Sequence, residues 1–430
     1  MCGHFDPAPK PSTLSSAFAT EKVSSHVLIF PQKPDNTPTP PADHGLLDPS
    51  VQAALLKDFP AADQLRFLQI LKHFATDTIP TMLSLEPAQA AWRKAVPILA
   101  TNYKFLTHGI LAVASLHLAQ LAMTQEERQT YEDIAANQMN VGLTQYRVEV
   151  QDVTTQNAEA LFAFSTTITT FVLHSAGAEC KAILKLMKEN DWSIEDRMES
   201  ISALSNAVFR VFRSVRGVLV IIVPCWHHIV KGIFRPVIAR DWWPPGVPTT
   251  PEEHDEDRKL QHLNTMWSRP GRTYDYSCDT LRHALKDLKE AFALVSRVMA
   301  LAQSGDTVCA STFDWTVVFH WPVQLSLDFI SLLEQRRMEA WVLIAHFAIL
   351  LARATGVLWL DGLGTSLLAT AALVIGEDNW NWIAWPAAAV NVDLASLRNV
   401  AITSSKTDTP SRGTPTERPP VSFSTESSLP

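Results

Sequence analysis

An all-α fold, a multi-helix bundle between Pro-rich N- and C-terminal tails, is the class this chain predicts, and three observations lead to it. Apolar residues recur at helical spacing in one segment after another. No run of alternating apolar and polar residues marks a strand, and no fixed-period repeat is present. Proline is concentrated at the two ends, with ten of the 27 in residues 1–60 and five more after Ser404. Proline interrupts helices and restricts the residue before it. Residues 1–60 and 401–430 are therefore expected to be disordered, and the ordered body to span 61–400.

The helices follow in order. "AADQLRFLQILKHFATDTIPTML" sets Leu65, Leu68, Ile70, Leu71 and Phe74 near one face. Pro97 is expected to open the next segment, whose "NYKFLTHGILAVASLHLAQLA" is apolar on most sides and so buried on most sides. "TQEERQTYEDIAANQMNVGLTQYRVEVQ" reads as a polar amphipathic helix. "TTQNAEALFAFSTTITTFVL" begins with residues that suit a helix N-terminus. Further helices are expected at 197–222, 276–303, 320–335, 338–354 and 363–376. Between the two halves "RDWWPPGVPTTPEEHDEDRKL" combines Pro, Gly and an acidic run, the composition of a surface loop, and a subdomain boundary is expected near 241–258.

A chain of 430 residues with 47% hydrophobic content can bury a large core. Its apolar runs are short for a bilayer, which needs about 20 apolar residues. Ala340–Ala352 is interrupted by His346, Leu363–Ile375 is no longer, and the stretch around 218–230 is bracketed by Arg216 and Lys231 and broken by Pro224. No membrane span is expected, and the first residues show no signal-peptide pattern. The five cysteines, at 2, 180, 225, 278 and 309, lie too far apart for a zinc knuckle or a CxxC pair, and reduced thiols in an intracellular protein are expected. A net charge of -8 gives the whole chain no general attraction for nucleic acid.

Motifs that carry catalysis are missing. There is no GxSxG elbow, no GxxxxGK[ST] phosphate loop and no GxGxxG. Asp255 and Asp257 are separated by one residue, which is not the DDxxD spacing that puts carboxylates on one helix face for magnesium and a diphosphate. "NDWSIEDRMES" lacks the register of a second metal triad. His108 and His117 are nine residues apart and so on opposite sides of a helix. His227 and His228 adjoin Cys225 without any partner spacing for a metal. No catalytic residue, metal site or cofactor is assigned.

Six stretches resemble one family in order: "FLTHGILAVASLHLA" (105–119), "ALFAFSTTITTF" (160–171), "FRVFRSVRGVLVII" (209–222), "EAWVLIAHFAILLA" (339–352), "VLWLDGLGTSLL" (357–368) and "WNWIAWP" (380–386). Together they resemble the C-terminal regulatory domain of fungal zinc-cluster transcription factors of the sterol uptake control protein type, over about residues 65–390. The resemblance implies an all-α domain that dimerises around a hydrophobic pocket, whose better-known members bind ergosterol. Its ligand-binding residues would fall on Trp341, Leu343, Ile344, His346 and Phe347 of the apolar helix and on Trp359, Gly362 and Gly364 of the glycine turn, with Trp385 and Pro386 closing the pattern. Met338 and Trp341 depart from the family's usual Pro and Leu, and the larger Trp would shrink the pocket.

Residues 1–60 contain one cysteine, Cys2, and no six-cysteine module. Direct DNA binding by this chain is therefore not expected. The expected function is a fungal transcription regulator of sterol or specialised-metabolite genes. It would work in the nucleus, shuttling with the cytoplasm, as a homodimer or with a partner transcription factor, with a sterol or other apolar small molecule as ligand. Two alternatives remain from the residues themselves: a helical lipid or terpenoid enzyme using 252–257, and a scaffold without a small-molecule ligand.

Overall fold

The computed structural model describes residues 45–189, 193–238, 247–268, 276–304 and 313–398. Residues 1–44 of the expected N-terminal tail (1–60), all of the expected C-terminal tail (401–430), residues 241–246 at the start of the expected interdomain loop, and Cys309 lie outside the described residues. Among the described residues every regular element is a helix, as the sequence predicts.

The chain opens with α1 (Pro49–Leu56), α2 (Ala61–His73), a single π-helical turn (Phe74–Thr78) and the short α3 (Ile79–Met82). Then come α4 (Glu86–Asn102), α5 (Lys104–Leu121), α6 (Gln125–Glu149), α7 (Ala158–Glu189), α8 (Ile194–Gly217), α9 (Leu219–Ile229) and α10 (Arg235–Ile238). The second half holds α11 (Pro251–His262), α12 (Tyr276–Ser304), α13 (His320–Gln324), α14 (Leu327–Glu334), α15 (Met338–Arg353), α16 (Leu363–Ile375) and α17 (Ala384–Val390). Side-chain caps start several of them. Thr124 accepts from the Glu127 N–H at 3.1 Å, and Ser326 from that of Phe329 at 3.1 Å. α16 lies between two glycines in positive φ, Gly362 at +69° and Gly376 at +76°.

Buried hydrophobic side chains from Leu46 to Leu397 form one connected cluster. Its centre is α15, where every residue from Glu339 to Leu351 is buried. α16 approaches α15 closely because Gly364 has no side chain; a Cβ there would lie 3.1 Å from the Ala348 carbonyl oxygen. α5 packs along α6, to which a short connection joins it, and also on α7. The Phe164 ring of α7 fits between Gly109 of α5 and Gly142 of α6, with a Cβ at either glycine falling within 2.9 Å of the ring.

Several expectations are corrected. Part of the segment expected to be disordered is helical: within residues 45–60 Asp48 caps α1, and Leu55 and Leu56 are buried. Leu65 is 68% exposed, and Phe67 takes its place on the buried face of α2. Pro97 lies inside α4 instead of opening a helix. The break falls at Tyr103, whose extended backbone (φ -124°, ψ 96°) separates α4 from α5. The single helix expected over 320–335 is two, α13 and α14, meeting at 89°. The acidic run of the expected surface loop is helical: Thr250 and Glu253 form a reciprocal capping box and Pro251 takes the first turn of α11, where its missing N–H costs no helical bond.

The apolar runs are also longer in the fold than in the sequence. α7, and Leu358–Ile375 taken together, are long and apolar enough to cross a membrane by length and composition, with 61% and 72% of their apolar windows buried inside the fold.

The Phe164 slot makes the first prediction. Gly109→Ala places a Cβ 2.6 Å from the ring and from Thr167 Oγ1, while Gly142 blocks retreat on the other side. Overpacking of this kind destabilises by about 1–3 kcal/mol. Urea unfolding is expected to show a loss of that order, partly recovered in the double variant Gly109→Ala/Phe164→Leu.

Candidate functional site

The residues expected to line a ligand cavity are placed around α15 and beyond it. Trp341 is fully buried, donates from Nε1 to the Leu333 carbonyl at 3.2 Å, and has its ring 5.9 Å from Phe209. Phe347 packs between Trp321 and Phe212, at 5.1 and 5.8 Å. Both rings thus face α8 and its neighbours. Leu343 and Ile344 are completely buried. His346 points toward α17, its ring 5.5 Å from Trp385, and its Nδ1 lies 2.8 Å from the Val342 carbonyl one turn back. Nδ1 therefore carries the proton, and burial pushes the imidazole pKa down to about 4.

The glycine turn behaves differently. Gly362 supplies a left-handed N-cap for α16, and Gly364 makes the contact with α15 described above. Trp359 is fully buried, away from the α8 side, and belongs to a polar cluster that sequence reasoning missed. Two clefts, of about 370 and 260 Å³, are lined by Val247, Asp257, Arg282 and Lys289 with their neighbours, and by Phe59, Phe67, Ile134 and Gln138 with theirs. None of the expected ligand residues lines either cleft.

The polar cluster is built by the π turn. An extra residue in a helical turn shifts the backbone register, and such turns often sit at functional positions. Here the turn carries Asp77 and Thr78 beneath α5. His73 Nδ1 lies 3.3 Å from Asp77 Oδ2, and His73 Nε2 lies 3.1 Å from His117 Nδ1. Thr78 Oγ1 is also 3.1 Å from His117 Nδ1. A neutral arrangement satisfies these contacts: His73 donates from Nδ1 to Asp77, and His117 donates from Nδ1 to His73 Nε2 and Thr78. Trp359 stands over His117 with ring centres 5.9 Å apart. It donates from Nε1 to Thr81 Oγ1 at 3.1 Å, and Thr81 donates on to the Thr78 carbonyl at 2.7 Å. On the far side of Trp359, His174 lies 6.2 Å from its ring and 2.9 Å from Gln120 Nε2. Burial lowers the pKa of His73, His117 and His174, and that of His117 to about 4, with the neighbouring His73 as second cause.

Four stretches of chain meet here, from α2 to the turn before α16. The pairing joins residues 44 and 278 apart, so no local spacing signals it. Among the described residues no group of three or more His, Cys, Asp or Glu side chains is arranged to hold a metal ion. The acidic run at 252–257 is engaged with cations. Asp255 pairs with Lys259 at 2.8 Å and Arg258 at 3.0 Å, Asp257 with Lys289 at 3.1 Å, and Glu256 with Arg353.

Residues 69–226 match the family described as the fungal specific transcription factor domain. That range contains His73, His117 and His174 and stops short of Trp359. The chain is also 32% identical over 128 residues to a Zn(2)-C6 fungal-type transcription factor, afumD, of Aspergillus fumigatus; the alignment covers 28% of this chain and 34% of that protein. The chain thus aligns with about a third of this relative's length.

The buried histidines predict a pH dependence. The unfolded chain takes up protons near pH 6.5, the ordinary histidine value, whereas His117, His320 and His346 in the fold resist them down to about pH 4. A depressed folded pKa means that the stabilisation is complete above pH 6.5 and is lost as pH falls toward 4, by about 1.4 kcal/mol per pH unit for each such histidine. Unfolding midpoints measured from pH 7.5 to 4 are expected to fall over that window, and His117→Gln is expected to flatten part of the slope.

Proposed function

We propose that this chain, whose residues 69–226 match the fungal specific transcription factor domain, acts in the nucleus as a transcription regulator whose helical body carries the regulatory input. The observation that carries this is the domain match itself. The body extends well past the matched range, and α15, α16 and the Trp359 cluster pack onto it from the second half. In this reading the histidine cluster and α15 are the elements whose packing a ligand would alter.

The finer reading is a domain that answers to a sterol or other apolar small molecule and controls sterol or specialised-metabolite genes. Its support is the apolar character of α15, on which the buried His346 is a polar group between apolar neighbours. Such a group fixes a ligand's orientation in a site of this kind. Because Trp341, Phe347 and Trp359 are wholly buried in the unliganded fold, ligand entry would require side chains between α8, α15 and α16 to move apart. Homodimer formation or a partner transcription factor would transmit the change. Within the described residues the cysteines are Cys180, Cys225 and Cys278, each buried and free, so in this reading contact with DNA comes from outside the helical body.

Two measurements separate the coarse reading from the fine one. Deletion of the gene is expected to change a defined set of transcripts; an unchanged transcriptome under both sterol-replete and sterol-depleted growth counts against regulation. Mass spectrometry of lipids retained by the purified chain, with a thermal shift on adding ergosterol, tests the ligand. A molecule that binds only the folded state raises the unfolding temperature in a saturable way. A well-folded sample with no retained lipid and no shift removes the sterol and leaves the regulator.

A further inference from the structure

In a chain whose net charge is -8, residues 200–240 contain Arg210, Arg213, Arg216, Lys231, Arg235 and Arg240 and no Asp or Glu. α8 and α9 run through this stretch with only Val218 between them, and its φ of -60° and ψ of -29° are helical. The rows of residues three and four apart therefore continue from one helix into the next. One such row is Arg213, Arg216, Val220 and Val223; past the non-helical Cys225 (φ -112°, ψ 19°) His227 follows on the last turn of α9, and Lys231 just beyond its end. All are exposed except Arg216, which is half-buried, and Val220 and Val223 are exposed to 57% and 54%. Pro224, also exposed, lies beside Val223, and the chain bends just after it at Cys225. The opposite side of the same helices, with Val215, Ile221, Cys225 and Ile229, is buried.

The outward face thus has an apolar centre between cationic or titratable ends. Arg213 pairs with Glu334 of α14, and Arg216 donates to the Val323 carbonyl at 3.2 Å; its pKa is lowered by burial, the one cause acting on it. Among the described residues, Glu179 also pairs with Arg210 of this stretch, and Glu159 accepts from the Ile233 N–H.

Charge and shape choose among occupants. A second copy packed about a two-fold axis near residue 222 would set Arg213 against Lys231, an arrangement that like charge opposes. A lipid surface is served by exposed Trp, Phe or Leu, whereas the exposed apolar groups here are two valines and a proline, with Trp226 half-buried. A helix laid along the outward face, with apolar residues at its middle and carboxylates at both ends, matches both features. We propose that the outward face from Arg213 to Lys231 docks an amphipathic helix of a partner protein, apolar at its centre and acidic at both ends. This surface would serve the regulator inferred above, but peptide binding is measured apart from transcripts, so either reading can fail without the other.

The test uses the purified full chain and a fluorescein-labelled helical peptide of about 20 residues, with leucines at helical spacing in the middle and glutamates at both ends. A second peptide carries lysines in place of the glutamates. Saturable anisotropy with the glutamate peptide alone is expected, weakening as salt is raised. Val223→Asp and Lys231→Glu, both at exposed positions and checked by circular dichroism, are expected to weaken it by about tenfold each. Absence of saturable binding overturns the proposal, as does equal binding of the lysine peptide. So does association with phosphatidylserine vesicles that Val223→Asp abolishes, or a concentration-dependent dimer that the same substitution dissociates, since either assigns the face to a different occupant.

Discussion

α15 is a helix with no face left for water, and this one constraint organises the molecule. Residues 339–351 are buried in succession, so the helix must be covered all round its circumference. α12, α14, α16 and α17 lie against it, and Phe209 and Phe212 of α8 reach the rings of Trp341 and Phe347. Burying a large aliphatic or aromatic side chain contributes about 1.5–3 kcal/mol, so several such residues on one helix hold its neighbours in place together. The two polar side chains on its buried stretch are accommodated on its own terms. His346 is neutral and bonded to its own helix, and Glu339, 5% exposed, sits 3.7 Å from Arg337.

Tryptophan links these layers in a recurring way. The indole fills space that smaller side chains would leave empty, and its single N–H then needs an acceptor. Trp321 donates to the Ala284 carbonyl of α12 at 2.8 Å, Trp341 to Leu333 of α14, and Trp380 to Ala372 of α16 at 2.9 Å. Trp359 bonds to Thr81 and thereby connects the second half of the chain to the π turn of the first. The residues that the family resemblance assigns to a ligand wall are thus also residues that close the core. Any small molecule acting there would work by altering packing between helices, whereas the proposed recognition of another protein uses the outward face of α8 and α9.

The helical class was legible because it depends on local patterns. Proline distribution, caps such as Thr124 and Ser326, and apolar spacing are all properties of neighbouring residues, and they place α5, α6, α12, α15 and α16 within a residue or two. The misplaced features share a cause. Leu65 and Phe67 are both large and apolar on the same short helix, and which of them faces inward depends on what lies beside it. Pro97 looks like a helix start, yet the helix continues through it to Asn102. The acidic run at 252–257 has the composition of a loop and becomes a helix through the reciprocal cap at Thr250 and Glu253, with Glu256 and Asp257 engaging cations on α15 and α12.

By itself, then, the amino-acid sequence determined that the body is helical, where most helices lie, and that it resembles a fungal transcription factor domain. Tertiary structure alone decided that His73 meets His117, that Trp359 reaches Thr81, that α15 has no solvent face, and that the valines of α9 point outward. The physical reason is that periodicity reports how apolar a face is, whereas the partner of that face, or its lack of one, is set by chain segments tens to hundreds of residues away.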